Sequence, residues 1–124
     1  MKRLACPTSV VAVVLLALVV VIAGCRSYHI EATVVNHSGG AVTLVEVDYP
    51  SASFGANNLA ADAVLHYRFQ TRGDGPLTVQ YTPSGRPQVQ VSGPTLYERQ
   101  EGKLEIVLLP AGKVEFHPVL APQH

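Results

Sequence analysis

From Tyr28 onward the chain alternates short runs rich in Val, Ile, Leu, Tyr and Phe with clusters of Gly, Pro, Asn and Asp, a pattern that points to strands joined by tight turns. The clusters are Ser38-Gly39-Gly40, Gly73-Asp74-Gly75-Pro76, Pro83-Ser84-Gly85 and Ala111-Gly112-Lys113. These residue types supply positive or preset φ at turns. No stretch of this region sustains a helical period. Strands are predicted near 28–36, 41–49, 63–70, 76–82, 87–92, 103–109 and 113–119, with a short one near 95–99. The longest connection expected between them runs from Pro50 to Asp62, and its Phe54 and Leu59 are expected to cap one end of the fold.

Successive side chains on a strand point to opposite faces, so alternation assigns an inside and an outside. Ile30, Ala32 and Val34 read as inward and His29, Glu31 and Thr33 as outward. Val45, Val47 and Tyr49 oppose Glu46 and Asp48; Leu65, Tyr67 and Phe69 oppose His66, Arg68 and Gln70; Leu77, Val79 and Tyr81 oppose Thr78, Gln80 and Thr82. Val89, Val91, Leu104, Ile106, Leu108, Val114 and Phe116 complete the inward set. One-sided strands of this kind fit an all-β, small antiparallel β-sandwich with a dry interior. About seven short strands in roughly 100 residues suggest an immunoglobulin-like arrangement, without the Trp and disulfide of a true immunoglobulin domain. Such a fold carries no function of its own.

The segment before this domain has a different character. Lys2 and Arg3 precede an apolar run from Val10 to Ala23, roughly 14 residues, which ends at Ala23-Gly24-Cys25. The run matches the apolar core of an export signal and is short of the ~20 residues needed to cross a bilayer as a helix. Ile22-Ala23-Gly24-Cys25 resembles the lipobox of bacterial lipoproteins: an aliphatic residue, a small residue, Gly or Ala, then Cys. That resemblance implies a signal peptide over 1–24, cleavage between Gly24 and Cys25, a diacylglyceryl group on the Cys25 sulfur and acylation of the new amino terminus. It leaves a single domain over 25–124. Two acyl-bearing attachments satisfy the requirement that stable anchoring takes more than one chain. In that family an Asp after the cysteine favours retention in the inner membrane; Arg26 stands there instead, which implies the outer membrane, with the domain facing the periplasm.

Processing also changes the composition that matters. Without Lys2 and Arg3, seven of the nine basic residues remain against nine acidic ones, a net charge near −2 with histidines neutral. No basic patch stands out, so nucleic acid is not an expected partner. Cys6 leaves with the signal and Cys25 carries lipid, which removes disulfides, thiolate catalysis and cysteine-rich zinc sites from consideration.

Few residues remain that hint at chemistry. His29 with Glu31, and Glu115 with His117, are i,i+2 pairs that each share a strand face. Were the first and last strands neighbours, the four could converge on one metal ion. Glu46 and Asp48 form a paired carboxylate on a face where a solvated role is expected, because a catalytic pair needs a cleft. The serines of Ser51-Ala52-Ser53 and of Pro83-Ser84-Gly85 belong to no nucleophile elbow, and Gly73-Asp74-Gly75 lacks the helix that phosphate binding requires. Arg72-Gly73-Asp74 resembles the integrin-binding tripeptide but reads as turn chemistry, and Asn36-His37-Ser38 fits a glycosylation sequon. His37 sits in a turn, His66 on a polar strand face and His124 at the chain end.

No catalytic residues and no cofactor are assigned. The sequence is expected to specify a non-enzymatic envelope module that meets its membrane through lipid and a second envelope protein through a sheet edge or the 50–62 segment. The alternative expectation is a periplasmic protein that binds a small molecule or a metal.

Overall fold

The computed structural model describes residues 28–121; the expected signal segment 1–24, the expected cleavage position between Gly24 and Cys25, the expected lipidation at Cys25 and His124 lie outside them. The described chain forms eight strands: β1 (Ile30–Asn36), β2 (Val42–Tyr49), β3 (Ala52–Leu59), β4 (Val64–Phe69), β5 (Gly75–Pro83), β6 (Val89–Leu96), β7 (Gly102–Leu109) and β8 (Lys113–Leu120). A single 3₁₀ turn, Pro110–Gly112, joins the last two. Two four-stranded sheets pack face to face, ordered β4-β1-β7-β8 and β3-β2-β5-β6. The expected all-β sandwich is therefore what forms, with eight strands instead of about seven. It is also not wholly antiparallel, because β1 runs parallel to β7 and antiparallel to β4.

The inward set read from alternation supplies most of the core; Tyr67, expected inward, is 43% exposed because β4 is an edge strand, and its ring covers Phe54 from outside. Ile30, Val34, Val47, Leu77, Val79, Tyr81, Ile106 and Leu108 are fully buried, with Ala32, Val45 and Leu104 nearly so. Each buried Val, Leu or Ile contributes about 1.5–3 kcal/mol over its exposed state, and the central strands β1, β7, β2 and β5 supply most of them. In β2 the alternation holds only because of a bulge. Thr43 pairs with Thr82 and Glu46 with Gln80, so β2 carries one residue more than β5 over this span. Leu44 absorbs it with a φ of 52° and remains 64% exposed, which returns Val45 to the interior.

The segment 50–62 departs from expectation. It is an edge strand, β3, folded back on β2 through a two-residue turn at Pro50-Ser51, with Ser51 at a φ of 93°. Its composition, Ala-Ser-Phe-Gly-Ala-Asn-Asn-Leu, has low strand propensity. The strand exists because pairing with β2 supplies its hydrogen bonds and because Phe54 and Leu59 enter the core. At Gly55 a Cβ would overlap the Val45 carbonyl oxygen, so glycine is what lets β3 approach the bulged part of β2. Likewise the stretches expected near 87–92 and 95–99 are one strand, β6, which bulges at Gly93-Pro94 between the pairs Thr78 with Ser92 and Pro76 with Thr95.

Aromatic rings close both open sides of the sandwich. On the β3–β4 side Tyr49 stacks on Phe69 with centroids 4.0 Å apart, and Phe54 stacks on Tyr67 at 4.5 Å. On the β6–β8 side the Phe116 ring lies directly over Gly93, where a Cβ would come within 2.7 Å of it. The two ends differ in what they carry. The entry end, where β1 begins, also holds the Pro50-Ser51 turn and the connections 70–74 and 97–101. The far end holds the connections 37–41, 60–63 and 84–88 and the 3₁₀ turn.

Candidate functional site

The metal-ligating proposal for His29, Glu31, Glu115 and His117 depended on β1 and β8 being neighbours. They are not: β7 lies between them, and two strand spacings separate them by about 9.5 Å. Register separates them further. Glu31 is level with Lys103 and Val119, whereas Glu115 is level with Val107 and Val35. His117 lies level with Glu105, Thr33 and His66. Each imidazole has a local partner instead. His117 Nε2 is 3.2 Å from Glu115 Oε2, with both side chains more than half exposed. His29 Nδ1 lies 3.3 Å from an Arg68 guanidinium nitrogen, and since guanidinium only donates, Nδ1 is the acceptor. Among the described residues no group of three or more His, Cys, Asp or Glu side chains is placed to hold a metal ion.

The same face forms a shallow trough of about 830 Å³ across all four strands. Its rows alternate in charge, Arg68–Glu31–Lys103 being one and His66–Thr33–Glu105–His117 the next. A mixed row of this kind satisfies cross-strand pairing and selects no single sign of ligand.

Glu46 and Asp48 lie on the exposed face of the other sheet. Hydrogen bonding to Asp48 and that carboxylate's like charge raise the Glu46 pKa from its ordinary 4.5, opposed by a hydrogen bond with Ser53. Glu46 is exposed and Asp48 half-buried on that face, which lacks the enclosing wall that acid–base work needs. Ser51 turns the β2–β3 hairpin and Ser84 the β5–β6 connection. Asp74 of the Arg-Gly-Asp tripeptide accepts a hydrogen bond from the Glu98 backbone N–H at 2.8 Å, tying two entry-end connections together as turn chemistry.

Asn36, read in the sequence only as a sequon, is a structural hub. It is fully buried, and its amide donates to the carbonyls of Gly40 at 2.8 Å and of Leu59 and Ala60 at 3.0 Å. Its Oδ1 accepts from the Ser38 backbone N–H at 3.1 Å and from the Ser38 hydroxyl at 2.6 Å. An amide so committed is closed to glycosylation. The sequence signal for it was an Asn two residues before a Ser-Gly-Gly turn, the setting of a side-chain-closed turn.

The feature that alternation alone did not reveal lies at the entry end. A depression of about 540 Å³ is bordered by His29, Tyr49, Tyr67, Arg68 and Arg72 along with uncharged polar and apolar residues, and no carboxylate borders it. Burial, followed by the neighbouring Tyr67, pushes the Tyr49 phenol above its ordinary pKa of 10.0. Arg68 comes from the outer face of β4 and Arg72 from the 70–74 connection, which explains why a search along single strands does not group them.

No protein-family model matches this chain, and no curated protein matches it either.

Proposed function

We propose that the protein is an envelope lipoprotein, held at the outer membrane by lipid on Cys25 and facing the periplasm, whose sandwich acts as a non-enzymatic binding or structural module. The observation that carries this reading is where the chain enters the fold. β1 begins at Ile30, five residues after Cys25, so a lipid on Cys25 would hold the entry end within about 18 Å of the acyl chains. The far end would then be presented away from the bilayer. The chemistry-bearing side chains sit on open sheet faces, which supports binding over catalysis. The sheet edge and the 50–62 segment, two separate docking routes in the sequence, are one feature, β3. It carries no charge and no proline, the usual protections of an edge strand, and this favours it as the surface for a second envelope protein.

The test is acyl labelling combined with crosslinking. Wild-type protein is expected to incorporate labelled fatty acid, and Cys25→Ser to lose the label and leave the membrane fraction or stall as precursor. Unchanged labelling in Cys25→Ser refutes the anchor. Failure to recover any reproducible crosslinked partner from membranes rich in the protein counts against the module role.

A further inference from the structure

We infer that the carboxylate-free depression at the entry end is a docking surface for anionic phospholipid headgroups, and that it seats the sandwich on the bilayer by the entry-end corner of β3 and β4, leaving the rest of the β3 edge clear of the surface. The inference rests on the lipid anchor proposed above and adds an orientation to it.

Two independent features converge on this face. The first is the tether. Cys25 and His29 are four residues apart, a reach of about 14 Å at full extension, so a lipid on Cys25 keeps headgroups beside the residue that borders the depression. The second is charge. The processed chain is net acidic, near −2 with Arg26 included, and an anionic surface repels it as a whole. Against that background Arg68 and Arg72 share a border with two tyrosines and a histidine, and no carboxylate lies among them. Arg26 precedes the domain on the same tether. Guanidinium groups pair with phosphodiester oxygens through two parallel hydrogen bonds, and tyrosine rings favour the headgroup level of a bilayer.

The remainder of the entry end differs in sign. On its β6–β7 side the 97–101 connection carries Glu98 and Glu101 around Arg99. Glu31 is the cross-strand partner of Arg68, and Glu31 and Glu101 border the adjoining depression that Arg68 and His29 share, so Arg68 is partly balanced, whereas Arg72 borders the carboxylate-free depression and not its neighbour. The end as a whole is therefore split, basic and aromatic beside β3 and β4, mixed from β1 across β7 to β6. A tethered body with that division tilts toward its basic half. Tyr67, 43% exposed although it stacks on Phe54, and Tyr49 supply the amphipathic contact.

The experiment uses acylated, processed protein in vesicles. Single cysteines at Ser51→Cys, Glu98→Cys and Ser84→Cys, carrying a fluorophore, report the basic half of the entry end, its mixed half and the far end. The Cys25 sulfur is blocked by lipid and does not label. Nitroxide on the lipid headgroups quenches whatever touches the surface. In phosphatidylglycerol-containing vesicles the probe at 51 is expected to be quenched roughly threefold more than those at 98 and 84. The contrast is expected to shrink in phosphatidylcholine, at high salt, and in Arg68→Gln/Arg72→Gln. Equal quenching at 51 and 98, or a contrast untouched by the arginine substitutions, overturns the inference while leaving the anchor standing. Absence of acyl groups on Cys25 by mass spectrometry overturns the anchor, and with it this surface. Circular dichroism confirms that the variants, altered at exposed positions, keep the fold.

Discussion

Asn36 offers the sharpest test of how the sandwich is held, because one side chain serves three carbonyls and a hydroxyl turn at once. In Asn36→Ala the Leu59 carbonyl loses a buried donor, for which about 1–3 kcal/mol is the usual cost of leaving such a group unsatisfied. The Gly40 and Ala60 carbonyls lie nearer solvent and keep other donors, from the Ser38 hydroxyl and the Ala63 backbone, so their loss adds less, about 0.5–1 kcal/mol each. The sum is about 2–5 kcal/mol. For a domain of this size that corresponds to a fall in Tm of roughly 10–25 °C. Asn36→Asp separates the donor role from the acceptor role, since it keeps the oxygen that Ser38 bonds and replaces the donor by a carboxylate facing three carbonyls. Burial raises the folded pKa of that carboxyl above the unfolded value near ~3.9. A carboxyl whose folded pKa is raised is penalised as pH rises through the unfolded pKa, so the deficit of Asn36→Asp is expected to be smallest at low pH and to grow toward neutrality. Urea unfolding followed by circular dichroism at several pH values measures both. A loss below about 1 kcal/mol in Asn36→Ala, or an Asp variant as stable as wild type at pH 7, would refute the reasoning.

Three further outcomes are expected. Gly55→Ala drives a methyl into the Val45 carbonyl and should cost about 1–3 kcal/mol in urea unfolding while leaving β2–β5 pairing intact by hydrogen exchange. The Tyr81 hydroxyl is buried with no hydrogen-bond partner in the protein, so Tyr81→Phe should be neutral or stabilising by up to about 1 kcal/mol. In the wild type, burial raises the Tyr81 pKa above its ordinary 10.0, so its contribution is complete below the unfolded pKa and is lost as pH climbs beyond it, an alkaline sensitivity that Tyr81→Phe should reduce. Asp48→Asn removes the neighbour that lifts Glu46, and an NMR titration should show the Glu46 carboxyl moving down toward 4.5.

What the sequence disclosed follows the range of the interactions involved. Face assignment in β1, β4, β5 and β7 depends on neighbours two residues apart, and there Ile30, Phe69, Leu77 and Ile106 are buried as alternation requires. β3 escaped because Ser53, Gly55, Asn57 and Asn58 have no strand preference of their own and are held by β2. β6 read as two pieces because Gly93-Pro94 looks like a turn, yet serves as a bulge beneath the Phe116 ring. Candidate site residues divide the same way. That His29, Glu31, Glu115 and His117 face outward was legible; that β7 intervenes between them is strand order, which alternation does not encode. Arg68 and Arg72 meet only because β4 ends beside the connection that follows it.

The parallel pairing of β1 with β7 bears on when the protein can fold. β1 sits between β4 and β7, and Ile30 finds its partner Gly102 only near the end of the chain. Residues of β2, β3, β5 and β6 can assemble their sheet as they emerge, but the sheet built on β1 waits for the last quarter of the sequence. Long-range pairing of this kind slows folding. In a chain that emerges amino end first, β1 is the first strand to appear and among the last to be closed in. Under the export proposed above, such an order would keep the polypeptide open during passage across a membrane and commit it to its native form only once β7 and β8 had followed.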